Sequence, residues 1–119
     1  MYRISKEYHF SSSHQLPHLP ENHKCHHLHG HNYVAIVILE SETLNEDGFV
    51  RDYHELDALK TYIDDKLDHK HLNDVLGDDC VTAEQIAKHL YDWAHARWPE
   101  VAAVQIKETP KTTAEYRGS

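Results

Sequence analysis

The sequence predicts an α+β fold in which two helices cover one face of a four-stranded antiparallel sheet. Three observations favour it: extended apolar and β-branched segments lie towards both ends of the chain, two stretches between them repeat apolar residues at helical spacing, and turn residues separate these segments. The predicted order is strand, strand, helix, helix, strand, strand (ββααββ). At 119 residues, the chain is expected to form one domain, 1–119.

The first predicted strand spans residues 2–14 and ends near His14. It mixes aromatic and β-branched residues with serines and has no helical apolar stripe. The next segment, 15–28, carries Pro17 and Pro20 among polar residues, which is typical of a loop that returns the chain for another strand.

The second predicted strand, 32–39, is a nearly unbroken apolar run. Such a run is typical of a strand that is buried on both faces. Two helices can cover only one face of so small a sheet, so we expect a partner subunit to cover the other face. Joining sheets edge to edge into a closed barrel would also remove their unpaired edges. An antiparallel return would bring His14 opposite His29 and His31.

Capping residues and apolar spacing predict the two helices. Asp52 with Glu55, and Thr82 with Gln85, have the three-residue separation of a capping box. The apolar stripes that follow are Leu56, Leu59, Ile63 and Leu67 in the first helix and Ile86, Leu90, Trp93 and Ala94 in the second. Residues 68–81 lose this periodicity and are predicted to be a loop.

Two further strands are predicted at 101–107 and 112–116, around a turn at Pro110. The composition limits the partners. A formal net charge of -8 opposes a basic patch for phosphates, so nucleic acid is not an expected partner. The longest apolar run is far shorter than the ~20 residues that span a bilayer, and two cysteines give no disulfide framework. We expect a cytoplasmic protein that does not enter a membrane.

Histidine is concentrated where the first strand ends and the second begins. Eight of the 13 histidines precede residue 32. His29 and His31 are two residues apart and project from the same face of an extended chain. With His14 they would give a tetrahedral ion three protein ligands and leave the fourth position open, which is the pattern of catalytic zinc. Without a metal, they would be ordinary polar residues at the end of a strand.

Cys25 precedes this histidine pair and admits three interpretations. As a fourth ligand beside the three histidines, it would close a structural zinc site. As a free thiol among imidazoles, it would supply a thiolate that acts as a base or nucleophile. It could also be a small buried apolar side chain. No role is assigned to Cys80.

Two other positions carry candidate chemistry. Asp68 and His69 form a neighbouring carboxylate and imidazole that could fix a tautomer and relay a proton, or they could belong to a solvated turn. Glu108 follows an apolar strand. It is either an exposed carboxylate at the strand end or an anchor that accepts two hydrogen bonds from a guanidine-like edge of a ligand.

Five motifs, taken in order, resemble those of the 6-pyruvoyl-tetrahydropterin synthase family. They are Phe10-Ser-Ser-Ser-His14, Cys25-x-x-x-His29-Gly30-His31, Leu67-Asp68-His69, Thr82-Ala83-Glu84 and Lys107-Glu108-Thr109. The likeness runs from about Phe10 to Tyr116-Arg117-Gly118. Three residues separate Cys25 from the His-Gly-His motif, as in the bacterial 6-carboxytetrahydropterin synthase branch of queuosine biosynthesis, whereas the pyruvoyl-forming branch typically has a longer gap.

The resemblance implies a tunnelling fold that trimerises into a barrel, with two trimers stacked as a homohexamer and active sites between subunits. It implies Zn²⁺ on His14, His29 and His31, catalytic roles for Cys25, Asp68 and His69, and a grip on the pterin ring by Glu108. The implied reaction converts 7,8-dihydroneopterin triphosphate to 6-carboxytetrahydropterin, acetaldehyde and triphosphate. His26 and His27, where the family is variable, could tune contacts with the phosphates.

Three alternatives stay open at this stage. The chain could resemble the pyruvoyl-forming branch in activity. It could be a non-catalytic module whose zinc is closed by Cys25. It could also be a relative that keeps the scaffold and acts on another pterin.

Overall fold

The computed structural model describes residues 1–119 and contains four strands and three helices. The strands are β1 (Tyr2–His14), β2 (His29–Ser41), β3 (Val101–Lys107) and β4 (Ala114–Arg117). The helices are α1 (Asp57–Lys66), α2 (Leu72–Leu76) and α3 (Ala83–Arg97), and short 3₁₀ turns occupy Lys24–His26 and Tyr53–Leu56. The sheet order is β1-β2-β3-β4 and each pairing is antiparallel, which confirms the predicted sheet.

The register of β1 against β2 determines which residues share a face. Phe10 lies opposite Tyr33, and His14 lies opposite His29. Because successive side chains alternate between faces, the buried residues Tyr8 and Phe10 on β1 and Tyr33 on β2 lie on the face that the helices cover. Ala35, Val37 and Leu39 continue that face of β2 and are almost completely buried. The long pairing therefore extends the core face directly into the histidines at the strand ends.

The two predicted helices are confirmed, with one adjustment. Thr82 Oγ1 accepts a hydrogen bond from the Gln85 amide at 3.2 Å and begins α3 as predicted. Asp52 Oδ1 accepts from the His54 amide at 2.9 Å, but it caps the 3₁₀ turn from which α1 then continues. Leu59 and Ile63 on α1, and Ile86, Leu90 and Ala94 on α3, belong to the predicted stripes and are almost completely buried. On α3, Ala87 is also buried although it lies outside the predicted stripe, and Trp93, which was predicted in the stripe, is only partly buried.

The prediction of an uninterrupted loop at 68–81 was wrong, because α2 lies within it. This helix has five residues, too few to repeat an apolar stripe. Leu72 is fully buried, and Gly77 ends the helix with a φ of 65°, the left-handed conformation that glycine adopts readily. Asn73 holds the segment to the rest of the chain, because its Nδ2 donates to the Gln15 carbonyl at 2.8 Å.

The sheet face away from the helices is only partly covered. Val34 and Ile36 lie on this face, one on either side of core-facing Ala35, and both are half-buried. The predicted partner subunit over this face remains a prediction. None of the helices has both the length and the apolar character needed to cross a membrane.

Candidate metal centre

Three histidines meet at the end of the sheet where β1 finishes and β2 begins. The nitrogen atoms that His14, His29 and His31 offer all lie within 4.8 Å of one another. The β1–β2 pairing explains this, because His14 is opposite His29 and His31 is the next residue on the same face of β2. The ring centroid of His14 lies 4.5 Å from that of His29 and 5.1 Å from that of His31.

Backbone carbonyls orient two of the three rings. His14 Nδ1 lies 2.6 Å from the Val81 carbonyl oxygen, and His29 Nδ1 lies 2.7 Å from that of His27. A carbonyl oxygen can only accept, so each Nδ1 carries the hydrogen and each neutral ring presents the lone pair of Nε2. These two Nε2 atoms face one another at 2.9 Å. Two lone pairs at that distance require a cation between or beside them.

His31 provides an independent test of whether a metal fits. Its Nε2 is buried and has no hydrogen-bond partner, and the carboxylate oxygen Glu108 Oε2 lies 3.7 Å away. A buried unpartnered nitrogen is costly unless a ligand completes it. Three imidazole nitrogens form a donor set that suits zinc. The residues present therefore fit a three-histidine metal site.

Burial favours the metal-binding form of these rings. It lowers the pKa of His14, an effect that the hydrogen bond to Val81 opposes and the neighbouring His29 reinforces. It also lowers the pKa of His31, where the carboxylate of Glu108 acts in the opposite direction. Since a metal binds the neutral imidazole, the fold holds His14 and His31 in the appropriate protonation state.

Cys25 lies outside the group of clustered ligand atoms. Its amide donates to His23 Nδ1 at 3.0 Å, and its carbonyl oxygen accepts from the Leu16 amide at 2.8 Å. These contacts place it on the 3₁₀ turn just before β2, where its side chain is half-buried. The geometry favours a separate thiol over a fourth metal ligand.

Asp68 and His69 form a close carboxylate–imidazole contact beside the outer edge of β1. Asp68 Oδ2 lies 2.9 Å from His69 Nδ1, while Oδ1 accepts from the Ser11 amide at 2.8 Å. The Ser11 amide, and then His69, lower the pKa of Asp68. The His69 amide also donates to the Ser11 carbonyl at 2.6 Å, and His69 has a φ of 58°, an unusual value for a residue with a side chain.

The His69 side chain is 80% exposed and reaches solvent beside the three-histidine cluster. His69 and His31 line the same open cavity of about 470 Å³, together with Lys70. Within one chain, no hydrogen bond or ion pair joins His69 to Cys25. The structure therefore brings the Asp68–His69 pair near His31 but does not assemble it with the thiol.

Glu108 follows β3 and continues its core-facing side, which directs it towards His31. It also lines a second cavity of about 410 Å³, whose polar residues include Glu84, Thr112 and Thr113. Sequence reasoning did not assign Glu84 to the site, although it belongs to the Thr82-Ala83-Glu84 motif. The first turn of α3 brings its carboxylate to the cavity of Glu108.

Tyr33 is a second residue that sequence reasoning missed. It is only 1% exposed, yet its hydroxyl oxygen has no hydrogen-bond partner. Its ring centroid lies 5.4 Å from that of His31 and 6.1 Å from that of His14. Burial, then the neighbouring Glu108 and Cys25, raise the pKa of Tyr33. The signal was present in the sequence, because Tyr33 is the next residue on the face of His29 and His31.

Comparisons with known proteins agree over nearly the whole chain. Residues 3–119 match the family model described as 6-pyruvoyl tetrahydropterin synthase. A Synechocystis protein named 6-carboxy-5,6,7,8-tetrahydropterin synthase is 37% identical, over 98% of this chain and 93% of the relative. A Dictyostelium discoideum 6-pyruvoyl tetrahydrobiopterin synthase is 36% identical, over 92% of this chain and 90% of the relative.

Comparison with solved structures leads to the same family. The solved structure of 6-pyruvoyl tetrahydropterin synthase from Caenorhabditis elegans superposes with a TM-score of 0.86 at 27% identity, covering 99% of this chain and 96% of that one. This likeness confirms the tunnelling-fold architecture of the chain. With the family match over residues 3–119 and the Synechocystis relative at 37% identity, it shows that the chain belongs to the 6-pyruvoyl tetrahydropterin synthase family.

Proposed function

We propose that this protein is a zinc-dependent carbon-carbon lyase that acts on 7,8-dihydroneopterin triphosphate. With water, the reaction gives 6-carboxy-5,6,7,8-tetrahydropterin, acetaldehyde and triphosphate. The observation that carries the proposal is the meeting of a three-imidazole cluster with Glu108 at one end of the sheet, 3.7 Å from His31 Nε2 to Glu108 Oε2. This arrangement would hold both the metal and the pterin ring on the same side of the molecule.

The gap between Cys25 and His29 supports the carboxy-forming branch. Overall identity does not discriminate, because the Synechocystis and Dictyostelium relatives, whose names belong to different branches, are 37% and 36% identical to the chain. The short gap places the thiol close to β2, on the turn Lys24–His26. The pyruvoyl-forming reaction is the second candidate, supported by the Dictyostelium relative.

His14, His29 and His31 would hold the zinc through their Nε2 atoms. When bound, zinc supplies a Lewis acid that makes hydroxyl groups on the pterin side chain easier to deprotonate. The protein fixes the ligand geometry beforehand, because the Val81 and His27 carbonyls hold two of the rings.

Glu108 would orient the pterin. A carboxylate can accept two parallel hydrogen bonds from the amino-pyrimidine edge of the ring, which resembles a guanidine. Glu84 lines the same cavity and offers a second carboxylate for that edge. Fixing the ring in this way keeps the reacting carbon at one position relative to the metal-binding residues.

Cys25, Asp68 and His69 would carry the proton transfers. The Cys25 thiolate would remove a proton from the substrate side chain. Asp68 Oδ2 lies 2.9 Å from Nδ1 of His69, so Nε2 of that ring would be the nitrogen that gives or takes a proton at the side-chain oxygens as the carbon-carbon bond breaks. In one chain these two parts are not in contact, so we propose that the complete site forms between subunits of a homohexamer, a dimer of trimers.

The proposed context is queuosine biosynthesis, with the whole chain, 1–119, acting as one domain. The test is to incubate zinc-loaded protein with 7,8-dihydroneopterin triphosphate and identify the products. Acetaldehyde and 6-carboxytetrahydropterin are expected. Formation of a pyruvoyl pterin without acetaldehyde would move the assignment to the second candidate, and the absence of any turnover would favour a non-catalytic zinc module.

A further inference from the structure

The open cavity of about 470 Å³ beside His31 is explained neither by the metal nor by the pterin ring. We refer to it as the Lys70 cavity. Nine residues line it, and none of them has a carboxylate or an apolar side chain, although the chain has a formal net charge of -8. Ligand sites of this size, roughly 300–1,000 Å³, are usually lined by apolar side chains. Walls made of hydroxyl, amide, imidazole and ammonium groups favour an anionic ligand instead.

Lys70 supplies the positive charge of this cavity. Three other lysines form ion pairs with aspartates, whereas Lys70 is exposed and forms none. Its backbone is fixed, because its carbonyl oxygen accepts from the Ser13 amide at 3.1 Å. The neighbouring carboxylate, Asp68, already accepts from the Ser11 amide and lies 2.9 Å from His69. The Lys70 ammonium group is therefore available to an anion.

Two pairs of side chains add hydrogen-bond donors to the same cavity. Ser11 Oγ donates to Asn32 Oδ1 at 2.7 Å, which leaves both hydrogens of the Asn32 amide group without an acceptor. Ser13 Oγ lies 3.0 Å from His71 Nδ1. If Ser13 donates, His71 Nε2 carries a free hydrogen, and if His71 donates, the Ser13 hydroxyl hydrogen is free. In both cases one donor of this pair is uncommitted.

His31 adjoins both cavities of the proposed site. It lines the Lys70 cavity, and its Nε2 lies 3.7 Å from Glu108 Oε2, which belongs to the second cavity. That second cavity differs in its walls, because Ala83, Ile106 and two carboxylates line it. A partly apolar cavity with carboxylates, a group of imidazoles and a cavity with an ammonium group thus follow one another along the protein.

The substrate of the proposed reaction has three chemically distinct parts in the same order. These are the pterin ring, the hydroxylated carbons of the side chain and the triphosphate. We propose that the Lys70 cavity binds the triphosphate, through the ammonium group of Lys70 and the amide hydrogens of Asn32. The inference rests on the proposed function, from which it takes the substrate, and it assigns the anionic end of that substrate to a separate part of the site.

The test compares Lys70→Gln with Lys66→Gln in zinc-loaded, full-length protein. Lys66 is the exposed last residue of α1 and does not line the cavity, so each change removes one positive charge but only one removes it from the cavity. The measurement is kcat/KM for 7,8-dihydroneopterin triphosphate, followed by release of triphosphate. Lys70→Gln should lower kcat/KM about five- to tenfold with unchanged zinc content, and Lys66→Gln should leave it unchanged.

A second probe, 7,8-dihydroneopterin, has the same ring and hydroxyls but no phosphate. Its Kd, measured by calorimetric titration, should be the same in Lys70→Gln as in the wild type. Equal losses of kcat/KM in the two lysine variants, or an equal loss with both ligands, would overturn the phosphate subsite and leave the proposed function intact. If the wild type releases no triphosphate and binds no pterin, the proposed function and this inference fail together.

Asn32→Asp tests the cavity at a second position. The variant keeps an oxygen that accepts from Ser11 but replaces the amide donor with a negative charge. It should lower kcat/KM at least as far as Lys70→Gln does, without changing the zinc content or the Kd of 7,8-dihydroneopterin. Wild-type kcat/KM in Asn32→Asp would show that the triphosphate does not lie in this cavity.

Discussion

The Nε2 atoms of His14 and His29 lie 2.9 Å apart, although backbone carbonyls hold the Nδ1 hydrogen of both rings. Two imidazole lone pairs thus point at each other inside the protein. The arrangement is unfavourable without a positive charge, and His31 Nε2 lies unpartnered within 4.8 Å of both. The fold therefore holds these three nitrogens where a bound cation would stabilise them, before any ligand binds.

His29→Ala should abolish tight binding of zinc, because it removes one of three ligand nitrogens. The measurement is the zinc content after dialysis, compared with one ion per chain in the wild type, as expected of a single three-histidine cluster. His27→Ala is the matched control, since it removes a neighbouring imidazole but keeps the backbone carbonyl that orients His29. Equal zinc in both variants would contradict a metal site at His29.

Cys25→Ala should retain zinc and lose turnover, because the thiol lies outside the cluster of ligand atoms. Zinc content and acetaldehyde formation are measured on the same preparation. Cys80→Ala, which removes a thiol 3.8 Å from His18 Nε2, is the control and should retain both. If Cys25→Ala lost zinc and unfolded, the closed site of one cysteine and three histidines would be correct instead.

The sequence predicted those parts of the site that follow from strand periodicity. His29 and His31 share a face because they are two residues apart, and the loop at 15–28 returns the chain so that His14 pairs with His29. The Val81 carbonyl that orients His14 was not predictable, because it comes from 67 residues away and a backbone acceptor leaves no trace in residue type. The short helix α2 was missed since five residues hold no periodic signal.

Tyr33 shows the difference between the position of a side chain and its hydrogen bonding. Its face follows from the same period of two that places the histidines, so its position was predictable. Its missing hydrogen-bond partner was not predictable, because an apolar strand containing one tyrosine is typical of a core strand, and only the three-dimensional surroundings reveal that the hydroxyl has no acceptor. Glu84 was similarly hidden on the first turn of a helix that is distant from β3 in sequence.

Asp68→Asn should lower kcat about 100-fold or more while leaving zinc content unchanged. The amide oxygen can still accept from Ser11, but its NH₂ group would face His69 Nδ1 and oppose the tautomer that Asp68 now holds. Asp65→Asn, at an exposed position on α1, is the control. Wild-type kcat in Asp68→Asn would exclude the carboxylate from the proton transfers.

Mixed oligomers should reveal whether Cys25 and His69 come from different subunits. Cys25→Ala and His69→Ala are each expected to be inactive. If the two are unfolded, mixed in equal amounts and refolded together, random assembly would give about a quarter of the sites both intact residues, and so about a quarter of wild-type activity. Recovery of no activity after confirmed co-assembly would indicate that both residues act within one chain.

Acidification should destabilise the metal-free protein through His14 and His31. Burial lowers the pKa of both rings in the folded protein, whereas in the unfolded chain their pKa is the ordinary histidine value of ~6.5. At a pH between the folded and the unfolded pKa of these rings, the unfolded state therefore binds more protons than the folded state. The stability that these rings contribute is complete above a pH of ~6.5 and is lost as the pH falls towards their folded pKa.

The measurement is the free energy of unfolding in urea, for chelator-treated protein, at several pH values between 7.5 and 5.5. Other histidines also titrate in this interval, so the test is a comparison with the double variant His14→Asn, His31→Asn. Its free energy of unfolding should fall less steeply as pH is lowered, because two of the groups whose folded pKa is depressed are absent. Parallel curves for the two proteins would show that His14 and His31 take up protons equally in the folded and unfolded states, contrary to their burial.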